Sequence, residues 1–205
     1  SIKNGVENPR AVSNRTKELE KLSGIQYFIR ELRYHEFSRQ SIGVILVVLF
    51  AVFAEPSLYL FILGCLLVLD GLLIRLYASG FVLKNKELST SGPYAYVRHP
   101  LYTGNILILS GMSFATGFIS AFVISIIFFW FYYPTAIEYE DRKLKSLFPE
   151  TWDSWSQQTP ALMPKFEFNS LNLTQWSWEK SLKNNYEPVI FVFILFWLIL
   201  LANRL

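Results

Sequence analysis

The sequence predicts an all-α fold: a polytopic transmembrane helical bundle with about five membrane segments, preceded by an amphipathic helix on the membrane surface. Three observations lead there. Apolar residues make up 52% of the 205 and charged residues only 17%, whereas about a quarter of the residues in soluble domains are charged. The apolar residues gather into five runs, 41–54, 57–79, 101–116, 118–133 and 188–202. Of the 19 Lys and Arg, 17 lie in the polar stretches 1–40, 80–100 and 135–187. Basic residues mark the cytoplasmic side of membrane proteins, so these three stretches are expected to share it.

The first forty residues are polar and rich in charge, and no cleavable signal peptide is expected from them. Within them Leu19, Leu22, Ile25, Phe28, Ile29 and Leu32 recur at helical spacing, with Arg30, Arg33 and Arg39 nearby. That pattern predicts an amphipathic helix lying on the bilayer, with His35 on its surface. A helix crossing the hydrocarbon needs about 20 residues. Only 57–79 meets that alone; the other runs must borrow flanking residues, tilt or form tight hairpins. Glu55-Pro56 and Ala115-Thr116-Gly117 are natural turns, and neither carries a Lys or Arg.

The chain therefore divides into a cytoplasmic or interfacial segment, 1–40, a membrane core, 41–187, and an additional C-terminal span, 188–205. The core holds two hairpins, and the final span leaves Arg204 on the far side. Trp152, Trp155, Trp176 and Trp178 fall in the third polar stretch, where the headgroup layer suits them. Gly64 and Gly71, like Gly104 and Gly111, are seven apart, which permits close helix packing.

Composition excludes several functions. Cys65 is the sole cysteine, so no intramolecular disulfide forms and no thiolate metal site can be built. His35 and His99 are the only histidines, too few for an all-protein zinc site. A net charge of +3 is too small and diffuse to call for nucleic acid. Two sequons, Asn14-Arg-Thr16 and Asn172-Leu-Thr174, matter only on a lumenal face.

Two polar clusters carry chemistry. The first follows a Ser-Gly-Pro turn: Tyr94, Tyr96, Arg98, His99 and Tyr102, ending where an apolar run begins. Read alone, it serves as a basic-aromatic membrane anchor, with Pro100 in a first helical turn. The second is Glu138, Glu140 and Asp141, just after Tyr133-Pro134. Leu144, Leu147 and Phe148 give the apolar face of a helix that Glu140 and Asp141 would open, a favourable place for acids. A hairpin between 101 and 138 returns the second cluster to the side of the first, so the two should face each other. That convergence suits a charged cofactor with a lipophilic co-substrate.

The ordered pattern GPYAYVRHPLYTG, then Glu140-Asp141, Leu144, Phe148, Trp152, Trp155 and Met163-Pro164, resembles the isoprenylcysteine carboxyl methyltransferase family. Related phospholipid N-methyltransferases share much of it. Gly71-x-x-x-Arg75-Leu-Tyr77-Ala78 and Leu88-Ser-Thr90 precede the motif as they do there, and the likeness covers roughly 64–166. The resemblance implies an integral membrane enzyme that transfers methyl from S-adenosylmethionine to a lipophilic acceptor at the membrane–cytosol boundary. Carried over by position, Tyr94, Arg98, His99, Pro100, Leu101, Tyr102, Leu88 and Ser89 would line the cofactor, with Lys86 near. Glu140 and Asp141 would be the family's acidic pair, one of them holding the cofactor's polar end. His99 is either a base or a hydrogen-bonding partner of the cofactor. No G-x-G-x-x-G offers a soluble dinucleotide-type site.

One departure bears on the acceptor. Members that methylate a prenylcysteine carboxylate usually carry an Arg just before the acidic pair. Here that stretch is Thr135-Ala-Ile137-Glu138-Tyr139, and Arg142 follows the pair instead. The alternative acceptor is a phospholipid or other amine, a phenol or a thiol. Asp70 and Arg75, charged within the second run, and Glu138 are candidate substrate contacts, although Asp70 could equally make a packing hydrogen bond and Arg75 could snorkel. A reading from another class is a non-enzymatic membrane scaffold whose flanks merely anchor helices. A transporter is disfavoured, because polar clusters at one face leave no path at the midplane.

Overall fold

Backbone contact between the second and third of the long helices organises the bundle. The computed structural model describes residues 14–81, 87–165 and 176–205. Among the described residues there are eight α-helices and no strands: α1 Gly24–Tyr34, α2 Glu36–Phe53, α3 Leu58–Ser79, α4 Pro100–Thr116, α5 Ile119–Leu147, α6 Pro149–Gln158, α7 Trp178–Asn185 and α8 Glu187–Ala202. By length and composition α2, α3 and α5 can each cross a membrane. Helices α4 and α8 pack alongside them with 17 and 16 residues, somewhat short of the ~20 a full crossing needs.

Small residues set the α3–α4 contact. A Cβ on Gly64 would lie 2.5 Å from Gly111 O, and one on Gly71 would lie 2.6 Å from Gly104 O. In lipid no hydrophobic force drives helices together, so close van der Waals packing at such positions does. Val68, Leu72, Met112, Ala115 and Leu201 fill the interior around this contact and are at most 2% exposed.

The far ends of the two hairpins are joined. Glu55 N donates to Thr116 O at 2.9 Å. Gly117 closes α4 in the left-handed region at φ +78°, where a side chain would be strained. Arg204, the lone basic residue expected on that side, donates to Ala51 O at 2.8 Å and Val52 O at 2.9 Å. It caps the open carbonyls at the end of α2, which is the physical reason a cation is tolerated there.

Three expectations need correction. The acidic cluster does not open a new helix: α5 runs unbroken for 29 residues through Pro134 and carries Glu138, Glu140 and Asp141 in its last turns. Pro134 lacks the N–H that would bond Trp130 O, and at the next carbonyl Arg33 Nε donates to Phe131 O at 2.9 Å. The surface helix α1 begins later than Leu19 and is latched to α5, with Thr135 Oγ1 donating to Arg33 O at 2.8 Å. Its Ile25, Phe28 and Ile29 stay exposed, as an interfacial helix requires. His35 follows α1 and caps α2, its Nδ1 accepting from Ser38 N at 3.2 Å.

The tryptophans also pack differently from a headgroup belt. Trp152 is 5% exposed, and Trp155 and Trp176 donate through Nε1 to Tyr94 O and Leu76 O. Trp178 alone of the four is strongly exposed. Residues Lys86 and Asn172-Leu-Thr174 lie outside the described residues.

Candidate functional site

The start of α4, the end of α5 and the start of α8 meet at one end of the bundle. Just before α4, Gly92–Ala95 forms a single 3-10 turn. Gly92 has φ +59°, and a Cβ there would press 2.7 Å from the Phe81 ring. Only glycine fits both conditions, so the Ser-Gly-Pro sequence sets the chain's entry into the site.

Arg98 and His99 both turn toward Asp141. Arg98 Nη2 donates to Asp141 Oδ2 at 3.0 Å, and His99 Nε2 lies 2.7 Å from Asp141 Oδ1. Both carboxylate oxygens are thereby used, and the His99 ring, 8% exposed, is fixed in place. Arg98 Nη1 also donates to Ser156 O at 3.0 Å and Thr159 O at 2.8 Å. One guanidinium thus joins α5, α6 and the segment beyond α6, a role its rigid fork suits.

That segment forms a strap over the motif. Arg98 N donates to Pro160 O at 2.8 Å, His99 N to Ala161 O at 3.0 Å, and Thr103 Oγ1 to Leu162 O at 2.7 Å. These bonds hold the first turn of α4 against the chain that leads to Met163, itself 83% exposed. Sequence spacing gave no sign of the strap, because its bonds use backbone carbonyls.

Glu140 differs from its neighbour. Its carboxylate is half-buried and makes no hydrogen bond or ion pair among the described residues, yet its charge acts on the Tyr94 and Tyr102 phenols. Burial pushes the Tyr94 phenol well up, so it stays protonated as a donor. Tyr102 stacks on His99 with ring centres 5.5 Å apart and meets Tyr133 at 5.4 Å. Pro100 is fully buried, and Leu101 packs with Tyr94 and Phe81. Leu88 and Ser89 are half-buried on the approach to the 3-10 turn.

The candidate substrate contacts separate. Arg75 is buried and forms a forked ion pair with Glu187 of α8, with Nε at 3.1 Å from Oε2. Its Nη1 donates to Leu101 O at 3.3 Å and also to Asn105 Oδ1. Those partners bind it into the frame of the site instead of letting it snorkel. Glu138 accepts from Tyr34 OH at 2.7 Å and from Arg142 Nε at 2.9 Å. Burial and that carboxylate push the Tyr34 phenol up to about 12, so it remains a donor to Glu138. Asp70 is exposed on α3, whereas Gly64, Gly71 and Arg75 on the same helix are buried.

Sequence reasoning missed Glu187 and Arg39. Glu187 ends the third polar stretch without any local signal, and only its partner across 112 residues reveals it. Arg39 was counted among the basic residues of the surface helix, but it lies inside α2 and is 8% exposed.

The site lies within a recognisable stretch. Residues 57–151 match the model of the phospholipid methyltransferase family. The chain is 41% identical over 90 residues to the cobalt-zinc-cadmium resistance protein CzcN of Cupriavidus metallidurans, covering 44% of this chain and 40% of that protein. It is 40% identical over 90 residues to the nickel-cobalt-cadmium resistance protein NccN of Alcaligenes xylosoxydans xylosoxydans, covering 44% and 41%. It is 32% identical over 84 residues to the protein-S-isoprenylcysteine O-methyltransferase of Schizosaccharomyces pombe, covering 40% and 35%. In each case the match spans less than half the length of the relative. No solved structure matches the chain. This chain is related to the phospholipid and isoprenylcysteine methyltransferases, and its three membrane-length helices make it an integral membrane protein.

Proposed function

We propose that the protein is an S-adenosylmethionine-dependent methyltransferase acting on a lipophilic acceptor at the membrane–cytosol boundary, similar to the isoprenylcysteine carboxyl O-methyltransferases. One observation carries the reading. Inside the family-matched stretch, Asp141 fixes Arg98 and His99 while the adjacent Glu140 is half-buried without a partner among the described residues. A carboxylate partly shielded from water and without a donor among the described residues fits a ligand that brings positive charge. The Arg98 Nε, buried and without a hydrogen-bond partner, is a second vacant group at the same place.

S-adenosylmethionine, when bound, supplies a methyl carbon activated on a positively charged sulfur. The residues here would hold it: Glu140 for its cationic end, and the Tyr94 and Tyr102 rings for its charge and flat surfaces. The chain's own contribution is positioning, since methyl transfer depends on aligning the acceptor behind the methyl carbon. His99, held by Asp141 and stacked on Tyr102, is placed to hydrogen-bond the donor or to take a proton from the acceptor. The site faces the cytoplasm in this reading because the basic stretches lie at the same end as α4's start.

A second reading is N-methylation of a phospholipid or another amine. The description of the matching family and the lack of an Arg before Glu140 favour it. Among the described residues no three His, Cys, Asp or Glu side chains converge as metal ligands would.

Calorimetry of the purified protein with S-adenosylhomocysteine tests the cofactor. Saturable binding is expected, and its absence in a folded sample overturns the proposal. Labelled-methyl transfer into a total lipid extract and a prenylcysteine analogue then separates the acceptors. A scaffold role predicts that His99→Ala and Glu140→Ala leave cofactor binding unchanged.

A further inference from the structure

The part of α5 beyond Pro134 is not held in place by its own helix alone. A proline inside a helix removes one bond of the ladder and crowds the carbonyl one turn earlier, so the helix bends most easily there. Glu140 and Asp141 follow that proline by six and seven residues. Any change in tilt or rotation beyond Pro134 therefore moves both carboxylates, and with Asp141 it moves the partner of Arg98 and His99.

The N-terminal part of the chain grips this segment. Phe131, Thr135, Glu138 and Arg142 are four, three and four residues apart, which makes one stripe along α5. Every one of them bonds a residue between 15 and 34. Arg33 Nε donates to Phe131 O at 2.9 Å, and Thr135 Oγ1 donates back to Arg33 O at 2.8 Å. The buried Tyr34 donates through its hydroxyl to Glu138 Oε2 at 2.7 Å. Arg142 donates to Glu18 Oε2 at 2.9 Å and to Arg15 O at 2.6 Å. At about 3.6 residues per turn, Glu140 falls on the opposite side of α5 from this stripe and Asp141 about a quarter turn from it. The clamp thus stands behind the acidic pair and leaves its inner face open. Residues 15–34 lie outside the family-matched stretch 57–151.

We propose that Tyr34 is a positioning residue for the methyl-transfer site: bonded to Glu138, it fixes α5 beyond Pro134 and so places Glu140 and Asp141. The role rests on the methyltransferase reading for its meaning. Tyr34→Phe and Thr135→Val each remove one hydroxyl from the clamp and keep the shape of the side chain. Both are compared with the wild type as full chains in detergent, by amide hydrogen exchange and by calorimetry with S-adenosylhomocysteine. Exchange should quicken at residues 135–142 and stay unchanged at 121–129, which precede the proline. Affinity for S-adenosylhomocysteine should fall by about tenfold, the scale of one hydrogen bond to a charged group, with the unfolding midpoint near the wild-type value. The double variant should lose less than the product of the two single losses, because both loosen the same segment. A hydroxyl that serves packing alone predicts a change spread along all of α5 with affinity unchanged, and that result overturns the proposal. If Tyr34→Phe fails to fold, Thr135→Val carries the same two measurements. Failure of the wild type to bind S-adenosylhomocysteine overturns the methyltransferase reading and the positioning role with it, whereas equal binding by the wild type and both variants overturns the positioning role alone.

Discussion

Arg75 and Glu187, 112 residues apart in sequence, meet as a forked ion pair between α3 and α8, with Glu187 only 2% exposed. The same guanidinium reaches Leu101 O and Asn105 on α4. The C-terminal helix is therefore bolted to the turn that presents His99. An apolar helix that sequence reading treated as an addition to the core is part of the frame of the site.

Removing one member of that pair leaves a charge buried and unmatched. Glu187→Ala should cost about 3–5 kcal/mol of stability, read as a shift in a reversible detergent-unfolding titration. A double variant, Arg75→Met with Glu187→Leu, should recover most of the loss, because apolar replacement of a buried pair is often neutral or stabilising. A Glu187→Ala protein as stable as the wild type would contradict the bolt.

Asp141 spends both carboxylate oxygens on Arg98 and His99. Asp141→Asn keeps the shape but removes the charge and one acceptor. Methyl transfer should fall by about 10²-fold, the scale of a misplaced reacting group, while the unfolding midpoint stays near the wild-type value. Full activity in the Asn variant would show that Asp141 has no part in setting His99.

Arg98 joins three elements through Asp141, Ser156 O and Thr159 O. Lysine carries the charge but lacks the fork. Arg98→Lys should loosen the strap over α4, seen as faster hydrogen exchange at the backbone amides of position 98 and of His99, which donate to Pro160 O and Ala161 O. Unchanged protection there would show that the backbone bonds alone hold the strap.

The α3–α4 contact leaves no room for a Cβ on Gly64, which would meet Gly111 O at 2.5 Å. Gly64→Ala should separate the helices and cost about 1–3 kcal/mol. Gly43, whose Cβ would meet only Phe128 at 3.5 Å, is the control, and Gly43→Ala should unfold near the wild type. Equal effects of the two substitutions would remove the argument for close backbone contact.

The sequence by itself determined the long apolar helices and the two polar clusters. Apolar runs, Pro and Gly turns and the placement of Lys and Arg are local signals, and α3 and α8 begin and end within a residue of the runs. A turn of known direction then requires His99 and Asp141 to share one end of the bundle. Which way each helix faces is another matter. Apart from Asp70, Arg75 and Glu187, helices α3 and α8 are apolar all round, so no amphipathic stripe tells which residues turn inward. Only the tertiary structure sent Asp70 outward and Arg75 to Glu187, gave Asp141 to His99 and left Glu140 open, and carried α5 through Pro134. It also brought Arg39 to Tyr102. Those outcomes depend on helix rotation and on partners 42 to 112 residues away, where burial makes each polar group take a donor or acceptor that spacing along the chain does not specify.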